Sequence, residues 1–579
     1  MPKLSKTRLK EIENAAKNRR EIVEARLSRR DLMRMGLLTA GGMLVAKSGL
    51  SARAVSAAGT PLGPPVGPTT TPFVDDLPIP PVAQGSTTPL TPTPSIVPLP
   101  GESRVEAHQR YNEFHPQKYY EFPVREGLHK FHRDMSAQTI WGFNGITPGV
   151  TYHAYYNEPI LVRLRNELPA EHVGYGDPTI STHQHNGHTP SASDGFPTNY
   201  NYPGSFYDYH YPNVRAGVDA YGPGGDERET MNFLWYHDHR MDFTAQNSYK
   251  GLAGFYLLFD ERDSNNENDT NPNAFQLPSG QYDVPLFLAD KVFDSAGNLF
   301  FDLFNLDGIL GDKFTVNGKI QPVFRVARRK YRFRILDGGP SRFYQLYLTN
   351  GTRSNVKPPM TMISNDGNLL PFPIPVNFVR LSVAERRDVI VDFTNCQIGD
   401  EIYLENRLVQ DDGRGPDEDL EARTKLMKII VDRDAPDPSR IPAQFRSLPT
   451  IPDTEVKRTR TWRFERQNGQ WAVNGQFFNE EIPRAVIPKG DAEEWVLQNN
   501  SGGWHHPIHI HFEEFQILSR NGRPATGIEV ARKDVVELGP NEEIRIRMRF
   551  RDFVGKYVMH CHNTLHEDHA MMIRWDIQG

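Results

Sequence analysis

The stretch "VMHCHNTLHEDHAMM", Val558 to Met572, sets a cysteine between two histidines, with a third histidine five positions after the cysteine and a methionine five beyond that. In an extended chain, side chains alternate between two faces, so His560 and His562 point one way and Cys561 the other. Upstream, "HHPIHIHF" (His505 to Phe512) follows the same rule: His509 and His511 share one parity and His506 has the opposite one. Strands of this kind can gather paired imidazoles on one face and bring Cys561 and His506 together on the reverse. This reading requires β-structure where the chemistry is.

Working outward, three places share a local pattern. Asn144-Gly145 precedes the alternating run "ILVRLRNEL" (Ile160 to Leu168), Asn317-Gly318 precedes "YRFRIL" (Tyr331 to Leu336), and Asn474-Gly475 precedes "EEWVLQNN" (Glu493 to Asn500). The Asn-Gly pairs are 173 and 157 residues apart, a domain-sized interval. Other period-two runs, such as "IRIRMRF" (Ile544 to Phe550), separate apolar from polar side chains by strand face. Long helical patterns are hard to find outside the N-terminal arm. The expectation is an all-β chain of three similar β-sandwich domains in series. The boundaries read as 106–265, 266–445 and 446–579.

The ends and the composition narrow the class. The chain has 579 residues, of which 38% are apolar and 24% charged, a soluble globular profile. A net charge of -6 spread along the chain gives no sign of a nucleic-acid partner. Two cysteines, Cys396 and Cys561, exclude a disulfide framework. Residues 1–58 read as an export signal: a basic region, a short apolar core in "SRRDLMRMGLLTAGGMLVA" and the small-residue run "SARAVSAAG". The apolar core is about a dozen residues, short of the roughly 20 that a membrane span needs. Arg29 and Arg30 ahead of it resemble the twin-arginine type, so the mature protein is expected in the periplasm, cell envelope or outside the cell, without a transmembrane span. The competing reading is a frayed basic arm. Residues 59–105, crowded with Pro and Thr, read as an extended, largely coreless linker.

Histidine placement carries the chemistry. All 20 histidines lie at or before His239 or at or after His505, so the middle domain has none and is expected to serve as spacer or substrate wall. The pattern His-x-His occurs four times, at His183/His185, His237/His239, His509/His511 and His560/His562, where random placement would give roughly 0.7 pairs. Each pair offers two imidazoles to one side of a strand. Eight histidines exceed the four ligands of a zinc site and suit a multinuclear cluster. On the other face, His506, Cys561, His566 and a weak axial Met571 make a blue-copper electron-transfer set. Taken alone, "HCH" would read as zinc ligands or a buried thiol. Cys396, with no histidine near it in sequence, reads as a small buried hydrophobe.

With these residues in view, the sequence resembles the multicopper oxidases. The motifs "THQHNG", "WYHDH", "HPIHIH" and "HCHNTLHEDHAMM" stand in the family's order, and the likeness runs from about Phe131 to Met572. Within the family it is most similar to bacterial spore-coat laccases and bilirubin oxidases, through "SASDGFP", "YDYHYPN", "LWYHDH" and "DFVGKYVMHCH". The resemblance implies three cupredoxin-like Greek-key domains and four coppers. It implies a type 1 copper on His506, Cys561, His566 and Met571, and a type 2 copper on His183 and His509. The type 3 pair would take His185, His237, His239, His511, His560 and His562. Asp194 and Glu567 sit where relatives place acids that relay protons to bound oxygen; a capping or turn carboxylate is the bland alternative. Two points stay open: Asn186 departs from the usual motif, and Met572 adjoins Met571. His188, His210, His505 and His569 fall outside the ligand pattern and read as structural or solvent-facing.

The implied activity is laccase-like: one-electron oxidation of phenolic, aromatic or bilirubin-like donors, coupled to four-electron reduction of O2 to water. A metal oxidase acting on Mn(II), Fe(II) or Cu(I) is the runner-up, and a non-catalytic scaffold protein stands behind both. The 14 methionines are scattered, which counts against Cu(I). The acidic loop "QDDGRGPDEDLEA" (Gln410 to Ala422) could gather cations but reads as a solvated loop. The expected partners are a small reducing substrate and O2, and the expected assembly is a monomer.

Overall fold

The computed structural model describes residues 65–303 and 305–579; the export-signal reading of residues 1–58 lies outside the described residues. Six sheets hold almost all the strands, two for each sandwich. Two four-stranded sheets take the strands between Lys118 and Phe259. An eight- and a five-stranded sheet take those between Asp283 and Arg433. A seven- and a five-stranded sheet take those between Val456 and Gln578. Each sandwich closes on its own apolar core, with Trp141, Tyr152 and Leu164 in the first, Phe333, Leu346 and Val389 in the second, and Trp495, Ile546 and Trp575 in the third.

The threefold repeat is visible in the topology. Strand Lys118–His129 pairs with Gln138–Phe143, which leads into Asn144-Gly145, and runs parallel to Ile160–Asn166. Strand Asp283–Phe293 stands in the same relation to Lys313–Val316 and Lys330–Asp337, and Val456–Gln467 to Gln470–Val473 and Ala492–Asn499. All three Asn-Gly pairs adopt positive φ at both residues, 61°/70°, 49°/76° and 51°/68°. This is the backbone of the tight hairpin turn that asparagine and glycine favour. The repeated dipeptide is therefore a repeated turn.

Two expectations change. The Pro/Thr-rich segment is not coreless over its described residues, 65–105. Its Leu77 enters the second core and Ala83 the first. Its free N–H groups bridge both sandwiches, from Leu77 to the Val323 carbonyl and from Ala83 to the Thr151 carbonyl, each at 2.8 Å. Proline removes donors, so the few that remain must find acceptors where the strap is buried. The second change concerns "YRFRIL". Tyr331, Phe333 and Ile335 face the core as expected, yet Arg332 and Arg334 on the other face are buried too. Arg332 donates to Asp263 at 2.9 Å and Asp388 at 2.6 Å, while Arg334 donates to Asp283 and to the Asn232 carbonyl of the first domain. The polar face of this strand is an ion-paired seam between domains.

Removing one partner from such a seam leaves uncompensated buried charge. Arg332→Met should lower stability in urea unfolding by roughly 3–5 kcal/mol. Arg328→Met, which breaks an exposed, solvent-screened pair with Asp434, should leave the urea midpoint almost unmoved.

Candidate metal centre

Strands His506–Ile510 and Gly555–Cys561 run antiparallel with Ile508 opposite Cys561 and His509 opposite His560. Directly opposed residues share a face. His509 and His560 therefore look toward the first domain, while Cys561 looks back into the core of its own sandwich. His506 is two residues from Ile508 and shares the cysteine's face.

On that face the Cys561 Sγ lies 3.4 Å from His506 Nδ1 and 3.6 Å from His566 Nδ1, and the two Nδ1 atoms are 3.1 Å apart. His566 arrives on the short helix Thr564–Asp568, capped by the Asn563 side chain. Past the helix, Ala570 takes a left-handed φ of 83°, turning the chain so that Met571 N donates to the His566 carbonyl at 3.0 Å. The two methionines differ in packing. Met571 is buried in the core that holds Cys561, whereas Met572 packs with Phe196 and Val558. The outer ring nitrogens are also occupied. His506 Nε2 pairs with Ser501 Oγ at 2.8 Å, and His566 Nε2 donates to the Asp307 carbonyl of the middle domain at 2.9 Å.

On the opposite face, all four His-x-His pairs converge, two from strands Thr182–His185 and Phe233–Asp238 and their ends. The groups overlap, since His183 meets His185 and His237 as well as His509 and His511, and a pair and two triads can be picked out among them. His183 and His509 bring Nε2 atoms to 3.3 Å. His239, His511 and His560 place three Nε2 atoms within 3.1–3.2 Å of one another. His185, His237 and His562 form the second triad, with ring centres 5.1–5.7 Å apart. In that triad His185 Nδ1, His237 Nε2 and both His562 nitrogens are buried without a hydrogen-bond partner. Orphaned buried nitrogens in this number are costly unless they bind something. Imidazole lone pairs, a thiolate and a thioether suit copper.

Acceptors behind the rings determine which nitrogen each one presents. Asp194 receives His183 Nδ1 on its carbonyl at 2.5 Å and His511 Nδ1 on its carboxylate at 2.8 Å. Gly195, which ends the helix Ser191–Asp194 at φ 80°, permits this approach; a Cβ there would come within 2.2 Å of the Thr182 carbonyl. Glu567 sits 3.1 Å from His239 Nδ1 and 3.2 Å from His560 Nδ1, and accepts from Thr244 Oγ1 at 2.6 Å. His509 Nδ1 donates to the Asp534 carbonyl at 2.9 Å, and Arg386 of the middle domain grips the Asp534 carboxylate with two bonds of 2.7 Å.

Burial is the largest influence on His183, His185, His509, His511 and His562 and holds them neutral, the form that ligates; it pushes His237 down to about 3 and His239 to about 4. Burial likewise pushes Asp194 well above the usual carboxylate range, and Asp534 up to about 7 against the pull of Arg386. Burial acts upward on Glu567 as well, but the neighbouring His239 and His560 outweigh it and keep the carboxyl low. A cavity of about 180 Å³ runs from exposed Asn479, Glu480 and Glu481 past Asp242 to Glu567.

All twelve sequence-predicted ligand residues lie in these two groups. Asn186 occupies a left-handed position at φ 72°, which asparagine tolerates, and its amide donates to the Asp366 carbonyl of the middle domain. His188, His210, His505 and His569 bind protein acceptors, as do structural histidines. Cys396 is buried among apolar residues, and burial pushes its thiol up to about 11. The acidic loop is not merely solvated, because the Gly413 carbonyl accepts from Asn563 and the Arg414 carbonyl from His505. Sequence reasoning missed Asp307, Arg386, Ser501, Asp534 and Trp235, whose ring stacks on His237 at 4.3 Å. Trp235 lies within "WYHDH", where only the histidines carry ligand spacing, and the other four stand in no motif.

This architecture of three cupredoxin-like sandwiches, with converging histidines and one cysteine sulfur set between two imidazoles, is that of a copper oxidase. The family model for multicopper oxidases matches residues 450–578. The bilirubin oxidase of Albifimbria verrucaria is 35% identical over 464 residues, covering 78% of this chain and 75% of that protein. The laccase of Bacillus subtilis (strain 168) is 31% identical, covering 79% and 94%. The crystal structure of a laccase from Pediococcus acidilactici superposes with a TM-score of 0.70 at 23% identity, covering 91% and 98%. The chain belongs to the multicopper oxidase family. It is a laccase-like, copper-dependent oxidoreductase that acts on small molecules with O2.

Acceptors behind metal-binding rings are commonly worth 10–100-fold in affinity. Asp194→Asn should weaken copper retention by about that factor, measured by competition with a chelator and metal analysis.

Proposed function

We propose that His506, Cys561, His566 and Met571 hold the type 1 copper and that the eight paired histidines hold the other three. His183 and His509 take the type 2 ion, and the two triads take the type 3 pair. Copper bound in these places supplies one-electron exchange at the first site and four-electron reduction of O2 to water at the second. The observation that carries this reading is the position of Cys561. Its sulfur joins one group, while its neighbours in the chain face the other: His560 Nε2 meets His239 and His511, and the His562 ring lies beside His185 and His237. The backbone thus gives a short covalent path between the two groups.

Glu567 and Asp194 take different parts. Glu567 bridges His239 and His560 at the end of a cavity that opens among exposed acids, the arrangement needed to bring protons in from solvent. Asp194, fully buried and turned to His511, orients that ring. The donors proposed are phenols, aromatic amines or bilirubin-like pigments, supported by the likeness to a bilirubin oxidase and to laccases. A metal oxidase remains the second reading, because Asp307 and Trp471 cover His566 and leave little room for a bulky donor to touch it. Among the described residues no helix is long and apolar enough to cross a membrane. Export by the twin-arginine route, supported by Arg29 and Arg30, and a monomeric state complete the proposal.

Cys561→Ser should abolish both the blue absorption and oxygen uptake with every donor. Oxygen uptake by the parent enzyme with bilirubin, phenols, Mn(II), Fe(II) and Cu(I) separates the donor classes. Turnover with metal ions alone would overturn the aromatic-donor reading, and retained colour in the serine variant would overturn the type 1 assignment.

A further inference from the structure

The type 1 group lies beneath a second layer that includes an arginine. Trp471 packs its ring 4.1 Å from His566 and 5.1 Å from His506. Over it, the Arg466 guanidinium sits 3.7 Å from the Trp471 ring and 4.4 Å from that of Trp504. Arg466 also pairs with the Asp307 carboxylate at 3.3 Å, and the backbone of Asp307 accepts from His566. The side chains of Arg466 and Asp307 are only 5% and 8% exposed, so solvent screens them little. Trp471 is itself tied to the middle domain, its Nε1 donating to the Leu306 carbonyl at 3.2 Å.

We propose that Arg466 is a tuning residue whose charge raises the reduction potential of the type 1 copper and so widens the range of donors the enzyme can oxidise. The argument rests on the type 1 assignment above. An arginine keeps its charge at any working pH, and its planar group stacks on indole faces, which fixes where that charge sits. A fixed positive charge one ring away from two ligand imidazoles favours the metal state with the smaller positive charge. Asp307 opposes it in part, but its carboxylate is turned to the guanidinium and only its backbone touches His566. The ion pair would therefore act as a dipole with its positive end on the indoles.

The competing account is that Arg466 only packs the two tryptophans. Three variants of the copper-loaded enzyme separate the accounts: Arg466→Met keeps length without charge, Arg466→Lys keeps charge, and Asp307→Asn removes the opposing carboxylate while retaining the backbone carbonyl. The potential is read by spectroelectrochemical titration of the blue band, independently of turnover. Arg466→Met should shift the electron-exchange equilibrium by roughly tenfold toward Cu(II), about 59 mV lower, with Arg466→Lys near the parent. Asp307→Asn should move the potential upward. An unchanged potential in Arg466→Met, or an equal fall in the Met and Lys variants, overturns the proposal. If Arg466→Met does not fold, an unmoved or lowered potential in Asp307→Asn does the same. Absence of a blue band in the parent enzyme would instead sink the type 1 assignment.

Discussion

The register between strands His506–Ile510 and Gly555–Cys561 is the constraint on which the site depends. With Ile508 opposite Cys561 and His509 opposite His560, the pleat turns every thiolate-side residue into the sandwich core and every cluster histidine toward the first domain. A slip of one residue would exchange the two faces and destroy both groups at once. The strands are held against such a slip by their core partners. Ile508, Met559 and Tyr557 are fully buried in the same core as Cys561. Packing of ordinary apolar side chains thus fixes the placement of the reactive ones.

The middle domain, without a histidine, still shapes both groups. Its Asp307 carbonyl caps His566, and its Arg386 holds Asp534, whose carbonyl orients His509. Arg332 and Arg334 pair with acids along the seam to the first domain. Burying charges of this kind costs solvation, and their geometry must be good to offset it. What they contribute is a fixed arrangement of domains, which a cluster assembled from two domains needs. The expectation of a spacer or wall is too modest, since the middle domain supplies part of the support behind the ligands.

Neutral imidazoles, fixed tautomers and a dry surround are set before any metal is considered. The backing acceptors at Asp194, Glu567 and Asp534 orient most of the rings, and burial holds His511 and His509 unprotonated. His562 is the exception, with neither nitrogen partnered by protein. Glu567 lines a cavity shared with exposed Asn479, Glu480 and Glu481, whereas Asp194 is not among its lining residues, so the surroundings of the two buried acids differ.

The sequence by itself determined the faces. Period-two spacing forces His560 and His562 apart from Cys561 whatever the rest of the chain does, because the pleat has a period of two. The three Asn-Gly pairs were legible as repeats for a similarly local reason: tight hairpin turns need positive φ, and these residues adopt it readily. Tertiary structure alone decided what has no local signature. Asp307 accepts from His566 and Arg386 donates to Asp534 across domain boundaries, Asp534 accepts from His509, and no spacing in the chain marks residues with such roles. Met571 and Met572 part in the same way, since adjacent residues of equal chemistry are told apart only by the cores into which the fold turns them.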